Sequence, residues 1–307
     1  MRLSVPSKLT FLPILFASLI TTCLIATGCQ SKPATSKSAY PQKTFPVRGK
    51  VVSTDANHVV LDHEAVPGFM EAMTMAYKLK DPSVITELHP GDRITANIIV
   101  QQDDAGYRDP QLDSIVVIAQ ARPDYRPAVE YHVPQAGDPV PDFHFLNQSD
   151  KTIDLAQFKG KVLLVTFIYT RCPLADYCPR MSRNFADIDK ALHADPTIYP
   201  TTHLLSISFD PAYDTPKVLR SYGGAYTGRY TKETFDHWDF AAPSEKDLPA
   251  VTQFFNVGVT SGDSPGTLNH SLSTVIIGKD GKVAAWYPTN DWKPEEVLAE
   301  VKKAAAA

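Results

Sequence analysis

The chain has 307 residues, of which 43% are hydrophobic, an ordinary content for globular domains. Its formal net charge of −4 gives no sign of a nucleic-acid partner. Its four cysteines do not form one set, because Cys23 and Cys29 lie near the N-terminus and Cys172 and Cys178 far beyond them.

Residues 1–28 read as an export signal. Arg2 and Lys8 supply a positive start, and Phe11 to Ile25 is largely apolar but short for a membrane span. Ala-Thr-Gly-Cys then closes at Cys29, and a small residue just before a cysteine resembles a bacterial lipoprotein processing site. Cys29 would become the lipidated first residue and Cys23 would be discarded; an uncleaved anchor helix is the alternative. Loss of Arg2 and Lys8 takes the charge from −4 to −6. Residues 29–44 are rich in Ser, Lys, Thr, Pro and Gln and read as a flexible tether from the membrane.

Residues 45–121 carry short apolar runs at Val47–Ser53, Val59–Leu61, Met73–Leu79, Ile94–Val100 and Ile115–Ala119, punctuated by Pro67-Gly68 and Pro90-Gly91. Five short strands without an amphipathic helix predict a small OB-like β-barrel. Three of the five methionines of the chain fall here within six residues: Met70, Met73 and Met75. On a strand, Met73 and Met75 share a face, and a hairpin turn at Pro67-Gly68 brings His63 near both. Thioether plus imidazole is a soft donor set that suits Cu(I), whereas methionines at i and i+2 also fill barrel cores.

Residues 122–136 contain Pro123, Pro127 and Pro134 and read as a linker. From Gly137 to the end, strand-like stretches (Leu163–Tyr169, Leu204–Phe209, Thr274–Ile277, Lys282–Trp286) alternate with helix-like ones (Arg180–Leu192, Pro216–Gly223, Glu245–Phe255, Glu295–Ala305). That alternation predicts an α/β sheet domain. Cys172 and Cys178 follow a buried-strand pattern directly, and Pro179 suits the first turn of a helix, which places Cys178 at its N-terminus. Free N–H groups and the helix dipole favour a thiolate there. Strand, two-cysteine loop and helix are how thioredoxin-like proteins present reactive sulfur. Two chemistries fit: thiol–disulfide exchange, which needs only the pair, and a soft metal site, which needs a further ligand. His270, in Thr-Leu-Asn-His-Ser before the strand Leu272–Gly278, is the candidate, because in thioredoxin-like folds the loop before that strand faces the cysteine loop. Two thiolates and one imidazole favour copper, with zinc chemically possible.

At this point the residues resemble the Sco/SenC family of copper-binding, thioredoxin-like proteins over roughly 135–305. The motifs are Pro-Asp-Phe at 141–143, Gln-Phe-Lys-Gly-Lys-Val at 157–162, Phe-Ile-Tyr-Thr-Arg-Cys-Pro at 167–173, Cys-Pro at 178–179, the Asp-Pro segment at 208–216 and Asn-His-Ser at 269–271. The resemblance implies Cys172, Cys178 and His270 as copper ligands, with Asp210 in support. One departure stands out: the family commonly has three residues between its cysteines and this chain has five. The stretch around 45–120 resembles the CusF-like periplasmic copper-binding domain, which implies His63, Met73 and Met75 as ligands. That family often caps the metal with tryptophan; none occurs here, and Met70 stands nearest that place as a fourth ligand or lid.

These features predict two domains, an OB-like barrel (45–121) and a thioredoxin-like α/β domain (137–307). The expected protein is a periplasmic, lipid-anchored carrier of Cu(I) and Cu(II). By resemblance its acceptor is a copper-accepting respiratory oxidase subunit or another periplasmic cysteine protein. The rival is a periplasmic thiol–disulfide oxidoreductase that uses Cys172 and Cys178 as a redox pair on partner cysteines. Exchange chemistry has no need of His270, and a copper site does.

Overall fold

The computed structural model describes residues 41–307, except 56, 104–105, 126–128 and 262–265. The expected export signal, Cys29 and the tether up to residue 40 lie outside the described residues. The strand β1 (Gln42–Thr54) begins inside the expected tether, at Gln42 rather than at Phe45. The reason is pairing: Gln42, Lys43 and Thr44 continue a ladder with residues 99–101.

β1, β2 (His58–His63), β3 (Met73–Leu79), β4 (Arg93–Asp103) and β5 (Gly106–Ala119) close into a barrel in the order β1-β2-β3-β5-β4. Closure removes free edges, and β1 makes it possible by bending from β4 to β2, with an irregular register between Val51 and Ser53. β3 and β5 complete the ring through a short parallel pairing at Lys78↔Gln111 and Leu79↔Leu112. β5 is far longer than the predicted Ile115–Ala119. Positive-φ residues Asp109 and Ser114 break its alternation, so its polar first half does not read as a strand. Val47, Val51, Val59, Leu61, Ile94, Ile98 and Leu112 fill the interior.

The second half is built on a seven-stranded sheet in the order β14-β13-β8-β9-β10-β6-β7. Its members are β6 (His144–Asn147), β7 (Thr152–Asp154), β8 (Val162–Ile168), β9 (Thr202–Ser208), β10 (Trp238–Ala242), β13 (Thr274–Ile277) and β14 (Val283–Tyr287). The central strands β8, β9 and β10 run parallel, and every residue of each is buried. Such strands need cover on both faces. The helices supply it: α1 (Cys178–His193), α2 (Pro216–Tyr226), α3 (Leu248–Phe254) and α4 (Pro294–Ala306). A short hairpin of β11 (Val259–Ser261) and β12 (Leu268–His270) stands apart from the sheet. The Tyr222–Ala225 stretch forms the last turn of α2. A Cβ on Gly223 would meet the Phe240 ring at 2.6 Å, so the glycine is a close-packing device.

Barrel and sheet domain pack directly. β3 lies against the β11–β12 hairpin. There is no room for a side chain at Gly258, whose Cβ would sit 2.9 Å from that of Thr74. Lys78 Nζ reaches Asp291 at 2.7 Å and Asp109 at 3.1 Å, and the His58 ring meets Trp286 edge-on at 5.8 Å.

Gly223→Val drives two methyl groups into Phe240 and Phe235 and is expected to lower stability by about 1–3 kcal/mol. Urea unfolding checks this: the midpoint falls and the slope is unchanged.

Candidate metal centre

The site at the sheet domain begins with β8. Its nearly continuous apolar run is buried on both faces and ends at Ile168, where the chain turns at the sheet's carboxyl edge. The turn is held by Cys172 N–H donating to the Tyr169 carbonyl at 3.2 Å. Six residues later Cys178 opens α1, with Pro179 in the first turn. Cys178 is fully buried and Cys172 is half-buried; both are free thiols. His270 ends β12 rather than lying in a bare loop, and it is buried. Its Nε2 lies 3.6 Å from Cys178 Sγ and 4.0 Å from Cys172 Sγ, and the three ligand atoms all fall within 4.8 Å of one another. One metal ion between them needs only side-chain adjustment to reach bonding distances. His270 Nδ1–H donates to the Ser271 carbonyl at 2.9 Å, which fixes the tautomer and turns the Nε2 lone pair toward the sulfurs. Phe209, Tyr169 and Tyr177 wall the ring at 4.7, 5.5 and 5.8 Å.

The two sulfurs differ electrically. The Cys178 thiol donates to Cys172 and pulls the Cys172 pKa well below the ordinary thiol range, with His270 adding to the effect. Burial, reinforced by the neighbouring Cys172 charge, pushes Cys178 well up. The pair therefore rests as a thiolate beside a thiol.

The turn that carries Cys172 is anchored by residues the sequence analysis did not single out. Buried Asp214 accepts Thr170 N–H at 3.0 Å, Thr170 Oγ1–H at 2.5 Å and Ser208 Oγ–H at 2.6 Å. Asp210 is not part of the three-residue cluster; it accepts Arg171 Nε–H at 2.8 Å, one residue before Cys172, so its support reaches the site through Arg171. The residues Ser208 to Asp214 stand together in sequence, and their spacing around Pro211 was the available signal.

In the barrel, His63 pairs directly with Met73 across β2 and β3, and Met75 lies two residues on, on the same face. All three are buried. His63 Nδ1–H donates to the Glu64 carbonyl at 2.7 Å, and its Nε2 is buried without a hydrogen-bond partner. Burial lowers the His63 pKa, so the imidazole is neutral at neutral pH and its Nε2 lone pair is free. A buried polar atom without a partner costs on the order of 1–3 kcal/mol, which a soft cation between Nε2 and the thioethers would remove. The donor set thus fits Cu(I). Met70 is half-buried at the close of the Val66–Met70 turn, where it accepts the Tyr77 hydroxyl at 3.5 Å. The ring beside His63 is Tyr77, edge-on at 5.8 Å.

Residues 133–306 match the family model SCO1/SenC, and residues 44–108 match the model described as copper binding periplasmic protein CusF. The chain belongs to the SCO1/SenC family. An SCO1 homologue from Bacillus subtilis is 31% identical over 170 residues, covering 54% of this chain and 82% of its own length. The mitochondrial SCO2 homologue of Homo sapiens is 24% identical over 166 residues, and the chain spans 59% of its length. Among solved structures, a SCO1/SenC family lipoprotein from Bacillus anthracis aligns with TM-score 0.47 at 25% identity, over 57% of this chain and 99% of that one. The Bradyrhizobium japonicum ScoI with copper bound aligns with TM-score 0.44 at 22% identity, over 54% and 99%. The SCO1/SenC match covers the cysteine–histidine cluster, and the CusF match covers His63, Met70, Met73 and Met75.

Because Cys172 rests as the thiolate, brief alkylation of the metal-free protein at neutral pH should label Cys172 and spare Cys178, as read by peptide mass mapping. Metal binding must also strip the Cys178 proton. Its pKa lies above neutrality, so apparent copper affinity at this site should rise by about tenfold per pH unit through the neutral range. A pH-independent affinity would show that Cys178 keeps its proton and is not a ligand.

Proposed function

We propose that this protein is a copper chaperone with two soft sites: His63, Met73 and Met75, with Met70 at the rim, for Cu(I), and Cys172, Cys178 and His270 for Cu(I) and Cu(II). The observation that carries the reading is the convergence of His270 Nε2 and both thiols within 4.8 Å. The carbonyl-anchored imidazole supports it. Copper is cargo here, and the chain contributes ligands it can release. A similar protein, BsSco, is described as a member of the Sco family of cytochrome c oxidase assembly proteins. By that kinship we assign delivery to the copper centre of a respiratory oxidase subunit, or to the cysteines that will hold it. We place the chain in the periplasm on a lipid at Cys29. Among the described residues no helix is long and apolar enough to cross a membrane. The domain limits 45–121, 122–136 and 137–307 belong to the same proposal.

A second reading keeps the sulfurs and drops the metal. The half-exposed Cys172 with its lowered pKa beside Cys178 is also the arrangement of a thiol–disulfide oxidoreductase. His270 separates the two. His270→Ala should weaken Cu(II) binding and alter its thiolate charge-transfer absorption while disulfide formation between Cys172 and Cys178 survives. Unchanged copper affinity and spectrum would remove His270 from the ligands and favour the oxidoreductase.

The reduced chain should bind two Cu(I) in anaerobic titration. Met73→Leu with Met75→Leu conserves apolar volume and removes the sulfur donors, so the count should fall to one with stability changed by less than about 1.5 kcal/mol. A count unchanged by the double substitution would make the methionines core packing.

A further inference from the structure

The strand that carries the barrel sulfurs on its inner face also lines the contact with the sheet domain. β3 carries Met73 and Met75 and packs against the hairpin whose second strand ends at His270. Beside this contact a cleft of about 470 Å³ opens, lined on the barrel side by Met70 and Met75 and on the other by Leu174, Asp176, Tyr177 and Leu272. Leu174 to Tyr177 is the greater part of the spacer between Cys172 and Cys178, so the cysteine loop itself forms one wall. Tyr177 packs against both hydrophobic cores and stands edge-on to His270 at 5.8 Å. Asn290, which also lines the cleft, donates from Nδ2 to the Asp176 carbonyl at 2.8 Å and fixes the loop. Lys78, three residues beyond Met75 on β3, ties the barrel to Asp291 at 2.7 Å.

We propose that the barrel is the copper donor of its own cysteine–histidine site, and that Cu(I) crosses this cleft within one chain past Tyr177 and the cysteine loop. The inference rests on reading both ligand sets as copper sites. It adds the direction, the route and the reason for the wide cysteine spacing. The direction follows from the ligands: two thiolates and an imidazole hold Cu(I) more strongly than thioethers and an imidazole. In the step, the bonds from copper to the Met73 and Met75 sulfurs and to His63 Nε2 break. Bonds to Cys172 Sγ, Cys178 Sγ and His270 Nε2 form. Copper stays Cu(I), no electron moves, and the thiol proton displaced by the metal goes to solvent. Because donor and acceptor sit on one chain with docked domains, the acceptor's effective concentration far exceeds that of any other chain in dilute solution.

The test starts from the full chain with Cys172 and Cys178 joined as a disulfide, which blocks the acceptor, loaded with one equivalent of Cu(I). Isotope-labelled, reduced, metal-free chain carrying Met73→Leu and Met75→Leu is added in about tenfold excess, and a phosphine then reduces the disulfide. Native mass spectrometry reads which chain holds copper before thiol sites exchange with one another, and ultraviolet absorption reports copper bound to thiolate. The relay predicts that most copper stays on the unlabelled chain and gains thiolate absorption. Lys78→Ala loosens the docking without touching a ligand, and should shift copper toward the labelled chain while both binding stoichiometries hold. Copper distributed in proportion to the excess would overturn the relay and leave both sites standing, as would retention without thiolate absorption. An unchanged partition in Lys78→Ala would overturn the role of the docked cleft. A disulfide form that takes up no Cu(I) would overturn the barrel site and the relay together.

Discussion

The arrangement depends on how a neutral imidazole is buried. Each candidate histidine gives its Nδ1 proton to a backbone carbonyl close by in sequence, Glu64 for His63 and Ser271 for His270. The opposite nitrogen is then an acceptor held in a dry place. At His270 it meets two sulfurs; at His63 it meets no hydrogen-bond donor. A lone pair kept from water in this way is costly unless a cation completes it, and the sulfur partners make that cation a soft one. The same device in two unrelated folds gives a common account of both halves of the chain.

The scaffolds reach that result by different routes. In the sheet domain, β8 ends at the edge of the sheet, and the loop that follows is stiffened by Asp214 and the Arg171–Asp210 pair. In the barrel, strand pairing alone sets His63 opposite Met73. β3 joins the two, presenting sulfur to the barrel interior while its other face and its end grip the sheet domain through Thr74 and Lys78. A change at that strand is therefore felt at both sites.

Local chemistry was legible in the sequence, and distant contact was not. The continuous run Val162–Ile168 followed at once by Cys172, and the proline after Cys178, predicted the strand, loop and helix. Ser244 and Asp247 form a hydrogen-bonded turn, so the predicted helix from Glu245 starts only at Leu248. The short strands β6 and β7 carry too few residues for a periodic signal, and β11 and β12 too few to be told from loop. The docking of the two domains was hidden because Lys78 and Asp291 are ordinary surface charges until the fold brings them together. Tyr77 and Tyr177 were passed over for the same reason: nothing in their neighbours marks a tyrosine as standing between two sites.

The most direct test of the account is X-ray absorption on selenomethionine-labelled protein carrying Cys172→Ser and Cys178→Ser and one equivalent of Cu(I). With the thiolates removed, copper has only the barrel donors. The account predicts a copper–selenium scattering path seen from both the copper and the selenium edges, together with imidazole scattering from His63. Copper surrounded by light atoms alone, with no selenium in its first shell, would contradict it.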